Sequence, residues 1–433
     1  MAAAAGIDTG ERLFSPQAAP QRKGASPAPQ ATPIPAGRTR PRSLAGATIL
    51  QLVPSLSDDP AGHAAADIAL TLLHSGARAM VAGDGGPLVG ELRTFGGEWL
   101  PMAAASLNPV RIVGNARQIG NLIASERIDI VHAHSAAAAW AALNATSRQQ
   151  PVFLVTSLPD RLTPHSYIGN AFRASLTRGH RVIAPSSYIA RAMIERYKLA
   201  PERITVIPRA IDTETFSPAA VSGDRIGALR RAWGILPEFR IVLVPGRIAP
   251  WNGQMSVIDA APFVVGNGAR NIAFVFAGSD RGRPRYLDAL RQRAALHGVD
   301  TLCRFVGHCP DMPAALAAAD AVVVPSLEPP LSGRAVSEAQ AMARPVVTTT
   351  VGMLPENILC PPRMREGLRT GWLARPGHAG QIGRSVCEAL NLNDTAYEAL
   401  GARARQFAEF MFSPPSVAAA IRGVYTSLLA RDL

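Results

Sequence analysis

From Ala47 onward the chain alternates short, nearly continuous apolar runs with longer stretches whose apolar positions recur at helical spacing. The runs Thr48–Val53, Ala79–Ala82, Ile128–Val131, Val152–Thr156 and Arg181–Ala184 predict strands buried on both faces. Between them, Ser187–Lys198 puts Ile189, Met193 and Tyr197 on one helical face. The alanine-rich run 136–142 reads as a closely packed helix rather than a membrane contact. A second series follows Asp212, with strands predicted at Ile241–Val244, Ile272–Ala277, Cys303–Val306, Ala321–Val324 and Pro345–Thr349. The helix predicted at Tyr286–His297 aligns Leu287, Leu290 and Ala294. Strand–helix alternation of this kind implies parallel sheets covered by helices on both sides. The fold class is therefore α/β, with two Rossmann-like, doubly wound parallel-sheet domains facing a central cleft and joined near residues 213–225. The expected units are 1–46, 47–215 and 216–412. An amphipathic helix within 413–433 is expected to pack back on the first domain.

Length supports the division, because 433 residues exceed what one hydrophobic core usually organises. Residues 1–46 are rich in Ala, Pro, Gln, Gly and Arg, too poor in large apolar side chains to offset ordering entropy, and read as a disordered tail. The formal charge is +12, and Lys23 and Lys198 are the only lysines among 44 basic residues, so arginine dominates the positive surface. Such a charge suits a phosphorylated substrate or peripheral contact with an anionic membrane. No aromatic-rich basic face points to nucleic acid. Cys303, Cys309, Cys360 and Cys387 have neither zinc-site spacing nor a disulfide framework, which fits a reducing, cytoplasmic setting. No secretory pattern opens the chain, and no apolar run is long enough to span a bilayer. His132 and His134 alternate at a strand end and are expected on opposite faces, so no metal site is expected there.

Several strings are more specific. Ile128 to Ser135 reads Ile-Asp-Ile-Val-His-Ala-His-Ser, Arg181 to Ser186 reads Arg-Val-Ile-Ala-Pro-Ser, and Arg203 to Asp212 ends Pro-Arg-Ala-Ile-Asp ahead of Phe216. Farther on come Pro245-Gly246-Arg247 with Trp251-Asn252-Gly253, Ser326 to Arg334 with Glu338, and Gly371-Trp372-Leu373 with Phe412-Ser413. In this order they resemble glycosyltransferase family 4, whose members are retaining enzymes of GT-B fold. The resemblance implies that residues 47–215 form the acceptor side and 216–412 bind a nucleotide sugar. Its donor-binding positions are Gly246, Arg247, Asn252, Gly333, Arg334 and Glu338, with His134 and Ser135 on the acceptor side. It implies no cofactor and no metal. The partners are a nucleotide-sugar donor and a glycan or lipid-linked acceptor.

Breaking a sugar–phosphate bond leaves charge on a diphosphate, so cations and backbone N–H groups must surround it. A strand followed by Gly246, Arg247 and a helix N-terminus meets that need. A carboxylate such as Glu338 accepts ribose hydroxyls. The plainer readings are a surface ion pair for Arg247 and a first-turn helix cap for Glu338.

The chain also departs from the family pattern. Asn252 stands where the loop carries lysine, and the paired glutamate falls at Pro330, with Glu328 the nearest carboxylate. The catalytic-site histidine falls at Pro159, the Gly-Gly loop at Asp59-Pro60, and the second glycine after Gly352 at Met353, whereas Glu356 remains. Each lost charge-assisted hydrogen bond costs about 1.5–3 kcal/mol. Two readings follow. One is a transferase of weakened activity acting on cell-envelope polysaccharide or lipopolysaccharide. The other is an inactive pseudoglycosyltransferase serving as a binding or regulatory module.

Overall fold

The computed structural model describes residues 43–57, 60–146, 152–158, 174–268, 271–330 and 332–431. The expected tail, except for 43–46, lies outside them, as do Asp59 and Pro159.

The described strands form two all-parallel sheets. The first contains β1 (Thr48–Ser55), β2 (Arg78–Asp84), β3 (Glu98–Pro101), β4 (Ile130–Ala133), β5 (Phe153–Ser157), β6 (Arg181–Ala184) and β7 (Ile204–Val206), in the order β3-β2-β1-β4-β5-β6-β7. The second contains β8 (Arg240–Pro245), β9 (Ile272–Ala277), β10 (Cys303–Gly307), β11 (Ala321–Val324), β12 (Val346–Thr349) and β13 (Gly371–Ala374), in the order β10-β9-β8-β11-β12-β13. The strand order reverses between β1 and β4, where Ile49 pairs with Ile130, and between β8 and β11, where Leu243 pairs with Val322.

The two-residue period of a strand explains why both faces need covering. In β1, Leu50 and Leu52 join one core cluster while Ile49 and Val53 join another. In β8, Ile241 and Leu243 face one cluster and Val242 and Val244 the other. Continuous apolar runs are thus the signature of sheets sandwiched between helix layers.

Helix boundaries follow local chemistry. The helix Ser187–Tyr197 stops one residue short of the expected end because Lys198 adopts a left-handed conformation, φ 54°. The helix Pro284–Leu296 starts two residues early, with Pro284 in its first turn. The expected helix at 136–142 extends over Ala136–Thr146 and is largely buried.

The chain leaves the second domain at the end of the helix Asp394–Phe412, whose Ala408 and Phe412 belong to a second-domain core cluster. Ser413 caps the next helix, Pro414–Leu429, through its hydroxyl. Ile421, Val424, Tyr425, Leu428 and Leu429 of that helix join a first-domain cluster. The two connecting segments meet where the Ile211 amide donates to the Phe412 carbonyl at 2.8 Å.

Candidate functional site

Ligands of doubly wound sheets gather at the carboxyl ends of the strands flanking the reversal of strand order. In the second domain that point lies between the loops leaving β8 and β11. Gly246 turns the chain there at φ 127°, and its amide donates to the Ala277 carbonyl at 2.9 Å. The half-buried Arg247 side chain has no ion pair or hydrogen bond among the described residues. The surface ion-pair reading of Arg247 is thereby corrected. Its carbonyl, by contrast, accepts from Asn252 Nδ2 at 2.7 Å and Gln254 Nε2 at 2.8 Å. Asn252 is thus folded inward onto its own loop. Gly253, at φ 75°, leads into the helix Gln254–Gly266, and a Cβ here would lie 2.0 Å from the Pro325 carbonyl oxygen. The Trp251 carbonyl accepts from the Leu327 amide at 2.8 Å. These contacts stitch the Arg247 loop to the loop after β11.

That second loop leads to the helix Arg334–Ala341. Glu338 lies in its second turn, 7% exposed and paired with Arg334 one turn earlier. The first-turn cap reading is therefore corrected. Burial raises the Glu338 carboxyl above its usual range, and the Arg334 charge and hydrogen bond pull it back. Gly333 is required by packing, because a Cβ would meet the Asn357 amide at 2.3 Å. Asn357 Nδ2 donates to Ser337 Oγ at 2.6 Å, tying the segment after β12 to this helix. Gly352, at φ 60°, packs against Pro329, while Pro330 is half-buried and Glu328 exposed.

The segment after β12 also reaches the first domain. Both Glu356 carboxylate oxygens accept from helix-opening amides, those of Ser187 and Tyr188, each at 2.7 Å. Ser186 Oγ accepts from the Ile189 amide at 3.2 Å, so three first-turn N–H groups are satisfied together. Met353, only 5% exposed, packs into the first-domain core cluster with Ile189 and Met193. Glycine at 353 would leave that space unfilled. Neither interdomain contact is evident from the sequence pattern, which marks Met353 only as a missing glycine.

On the first domain, His132 is the next-to-last residue of β4 and His134 follows the strand. Their rings meet with centroids 4.0 Å apart, correcting the expectation of opposite faces. Residues two apart along a strand share a face, so the two-residue period itself brings His134, just past the strand end at Ala133, to the side of His132. His132 bridges Tyr425 Oη at 2.6 Å and Ser157 Oγ at 2.7 Å. His134 Nε2 lies 3.1 Å from Gln51 Oε1. Ser135 Oγ accepts from the Ala138 amide at 3.2 Å and so starts a helix. His132 and Tyr425 are a structural clasp for the C-terminal helix; the sequence pattern does not show Tyr425, whose bond spans most of the chain, or Ser157, which ends the neighbouring strand β5.

Burial drives the His132 imidazole well below its usual range, and His134 adds to the effect. His134 is pushed down to about 4, chiefly by burial and then by the Arg209 charge. The unfolded chain takes up these protons below about pH 6.5, whereas the folded chain resists them. Stability is therefore full above that pH and falls on acidification, by roughly 1.4 kcal/mol per pH unit per histidine. Urea midpoints between pH 7.5 and 5 should decrease, with a shallower slope for His134→Gln. A flat profile in the wild-type protein would contradict the buried, neutral pair.

Pro159 and Asp59 lie outside the described residues, and only the backbone of Pro60, at the start of the helix Pro60–His74, is described. Among the described residues, no group of three or more His, Cys, Asp or Glu is placed to hold a metal ion. The four cysteines are free. No helix among the described residues is long and apolar enough to cross a membrane.

Comparison with known proteins matches this layout. Residues 65–215 match the family model described as Glycosyltransferase Family 4, and residues 239–391 the one described as Glycosyl transferases group 1. A D-inositol 3-phosphate glycosyltransferase of Corynebacterium glutamicum is 29% identical over 244 residues, 55% of each chain. The chain spans about half the length of the curated relatives it matches. The fold is shared with a glycosyltransferase from Rickettsia africae, at TM-score 0.75 and 23% identity over 89% of this chain and 100% of that one. It is also shared with Anabaena HepE, solved in complex with UDP, at TM-score 0.68 and 22% identity over 88% and 100%. With one family model on each domain and two facing Rossmann-like domains of GT-B architecture, the chain belongs to the family 4-like glycosyltransferases.

Proposed function

We propose that the protein transfers a sugar from a uridine diphosphate sugar to a cell-envelope polysaccharide or lipopolysaccharide acceptor, at a rate lowered by its substituted positions. The observation that carries this reading is the unpaired Arg247 guanidinium at the strand-order reversal, beside a helix N-terminus. There it meets the negative charge that grows on a departing diphosphate. Arg334 and Glu338 take the ribose side, Gly246 and Gly333 let the backbone approach closely, and Asn252 holds the Arg247 loop in shape. His134 and Ser135 border the acceptor side at the end of β4. The choice of uridine draws on Anabaena HepE, which was solved with UDP and with UDP-glucose.

The acceptor reading places the first domain against the anionic cytoplasmic face of a membrane. The helix Pro109–Ser125 and its lead-in expose Leu107 at 72%, Val110 at 79% and Val113 at 54%, beside exposed Arg111 and Arg117. Apolar insertion with flanking cations suits an anionic lipid surface. Sedimentation with phosphatidylglycerol vesicles, but not with phosphatidylcholine vesicles, is expected; equal behaviour with both would remove this part.

The test of function is thermal stabilisation by UDP and UDP-glucose, followed by UDP release with glycan, lipid-linked and inositol 3-phosphate acceptors. Neither stabilisation nor release with any nucleotide sugar would end the proposal. The second reading, a pseudoglycosyltransferase, is favoured by Met353 packing across onto the first-domain core and by Asn252 turned inward. It predicts either no nucleotide binding or UDP-sugar binding without UDP release.

A further inference from the structure

The loop after β9 runs alongside the Arg247 loop at the same sheet edge. The Ile248 amide donates to the Ser279 carbonyl at 3.0 Å, and Gly278 sits so close that a Cβ would lie 1.9 Å from the Gly246 carbonyl oxygen. Two successive left-handed residues, Arg281 at φ 43° and Gly282 at φ 77°, then turn the chain toward Arg283. The Arg283 guanidinium lies over the Trp251 ring, 4.7 Å from its centroid. Trp251 immediately precedes Asn252, is 36% exposed, and has its backbone fixed by the β11 loop. Among the described residues Arg283 has no carboxylate partner.

An arginine stacked on an aromatic face still presents its N–H donors outward in the guanidinium plane, where they suit a phosphate. Asn252, meanwhile, contributes no charge and has its amide bonded to the Arg247 carbonyl. We infer that Arg283, held on the Trp251 ring, supplies the second cation for the donor diphosphate, taking over the duty that position 252 has given up. The inference rests on the proposed nucleotide-sugar function and deepens it, since the missing loop charge is relocated rather than lost.

Calorimetric titration of UDP and of uridine into the full chain tests this. Arg283→Ala is expected to weaken UDP about ten- to a hundredfold while leaving uridine unchanged. Trp251→Ala should weaken UDP in the same direction, and Trp251→Phe less. Asn252→Lys introduced into Arg283→Ala should restore much of the UDP affinity, an outcome that a fold defect would not produce. Wild-type UDP affinity in Arg283→Ala, alongside loss in Arg247→Ala, would overturn the inference and leave the proposed function standing. No UDP binding by the wild-type chain would overturn both.

Discussion

Arg247→Ala is expected to lower UDP affinity by about ten- to a hundredfold and transfer, measured as kcat/KM, by about a hundred- to a thousandfold. The transfer loss exceeds the binding loss because the diphosphate carries more charge in the transition state than in the bound donor. The unliganded protein should melt at the wild-type temperature, since the Arg247 side chain makes no ion pair or hydrogen bond among the described residues. Arg247→Lys keeps a point charge but not the forked donor geometry, and should recover only part of the loss. Equal UDP affinity in wild type and Arg247→Ala would remove this residue from the site.

Glu356→Ala and Met353→Gly loosen the closed arrangement of the two domains. Glu356 accepts two charge-assisted hydrogen bonds at a helix N-terminus in the other domain. Losing both exposes the Ser187 amide to water and leaves the part-buried Tyr188 amide without its partner, at a cost of about 2–3 kcal/mol. Met353→Gly empties a buried side chain's volume and adds backbone freedom, costing about 2–5 kcal/mol. Because these contacts lie between domains, the expected signature is specific. Urea unfolding should separate into two transitions, and small-angle scattering should report a larger radius of gyration. A single, unshifted transition in both variants would show that these contacts do not couple the domains.

Sequence legibility followed the physics of each element. Strands such as β8 and β11 are buried on both faces, so uninterrupted runs like Ile241–Val244 announce them. The strand β3, Glu98–Pro101, is half-exposed at the sheet edge and, between Glu98 and Pro101, offers only Trp99 and Leu100 as an apolar run. The three-residue β7 is too short to show a period. At the site, Gly246 and Arg247 were legible because their meaning is local: a turn directly after a strand. Glu356 was noted only as a retained acid; its partners Ser187 and Tyr188 lie in another domain and leave no mark on the residues around it. The rings of His132 and His134 meet because side chains two positions apart share a strand face, which the expectation of opposite faces overlooked. The bond from His132 to Tyr425 depends on the final helix crossing back, which periodicity alone cannot place.

The central claim is that the diphosphate of a uridine nucleotide sits at the carboxyl end of β8. A crystal structure of the full chain with UDP tests it most directly. Phosphate oxygens are expected within hydrogen-bond distance of the Arg247 guanidinium, with the ribose toward Glu338. UDP bound elsewhere, or an empty second-domain edge at saturating UDP, would contradict it.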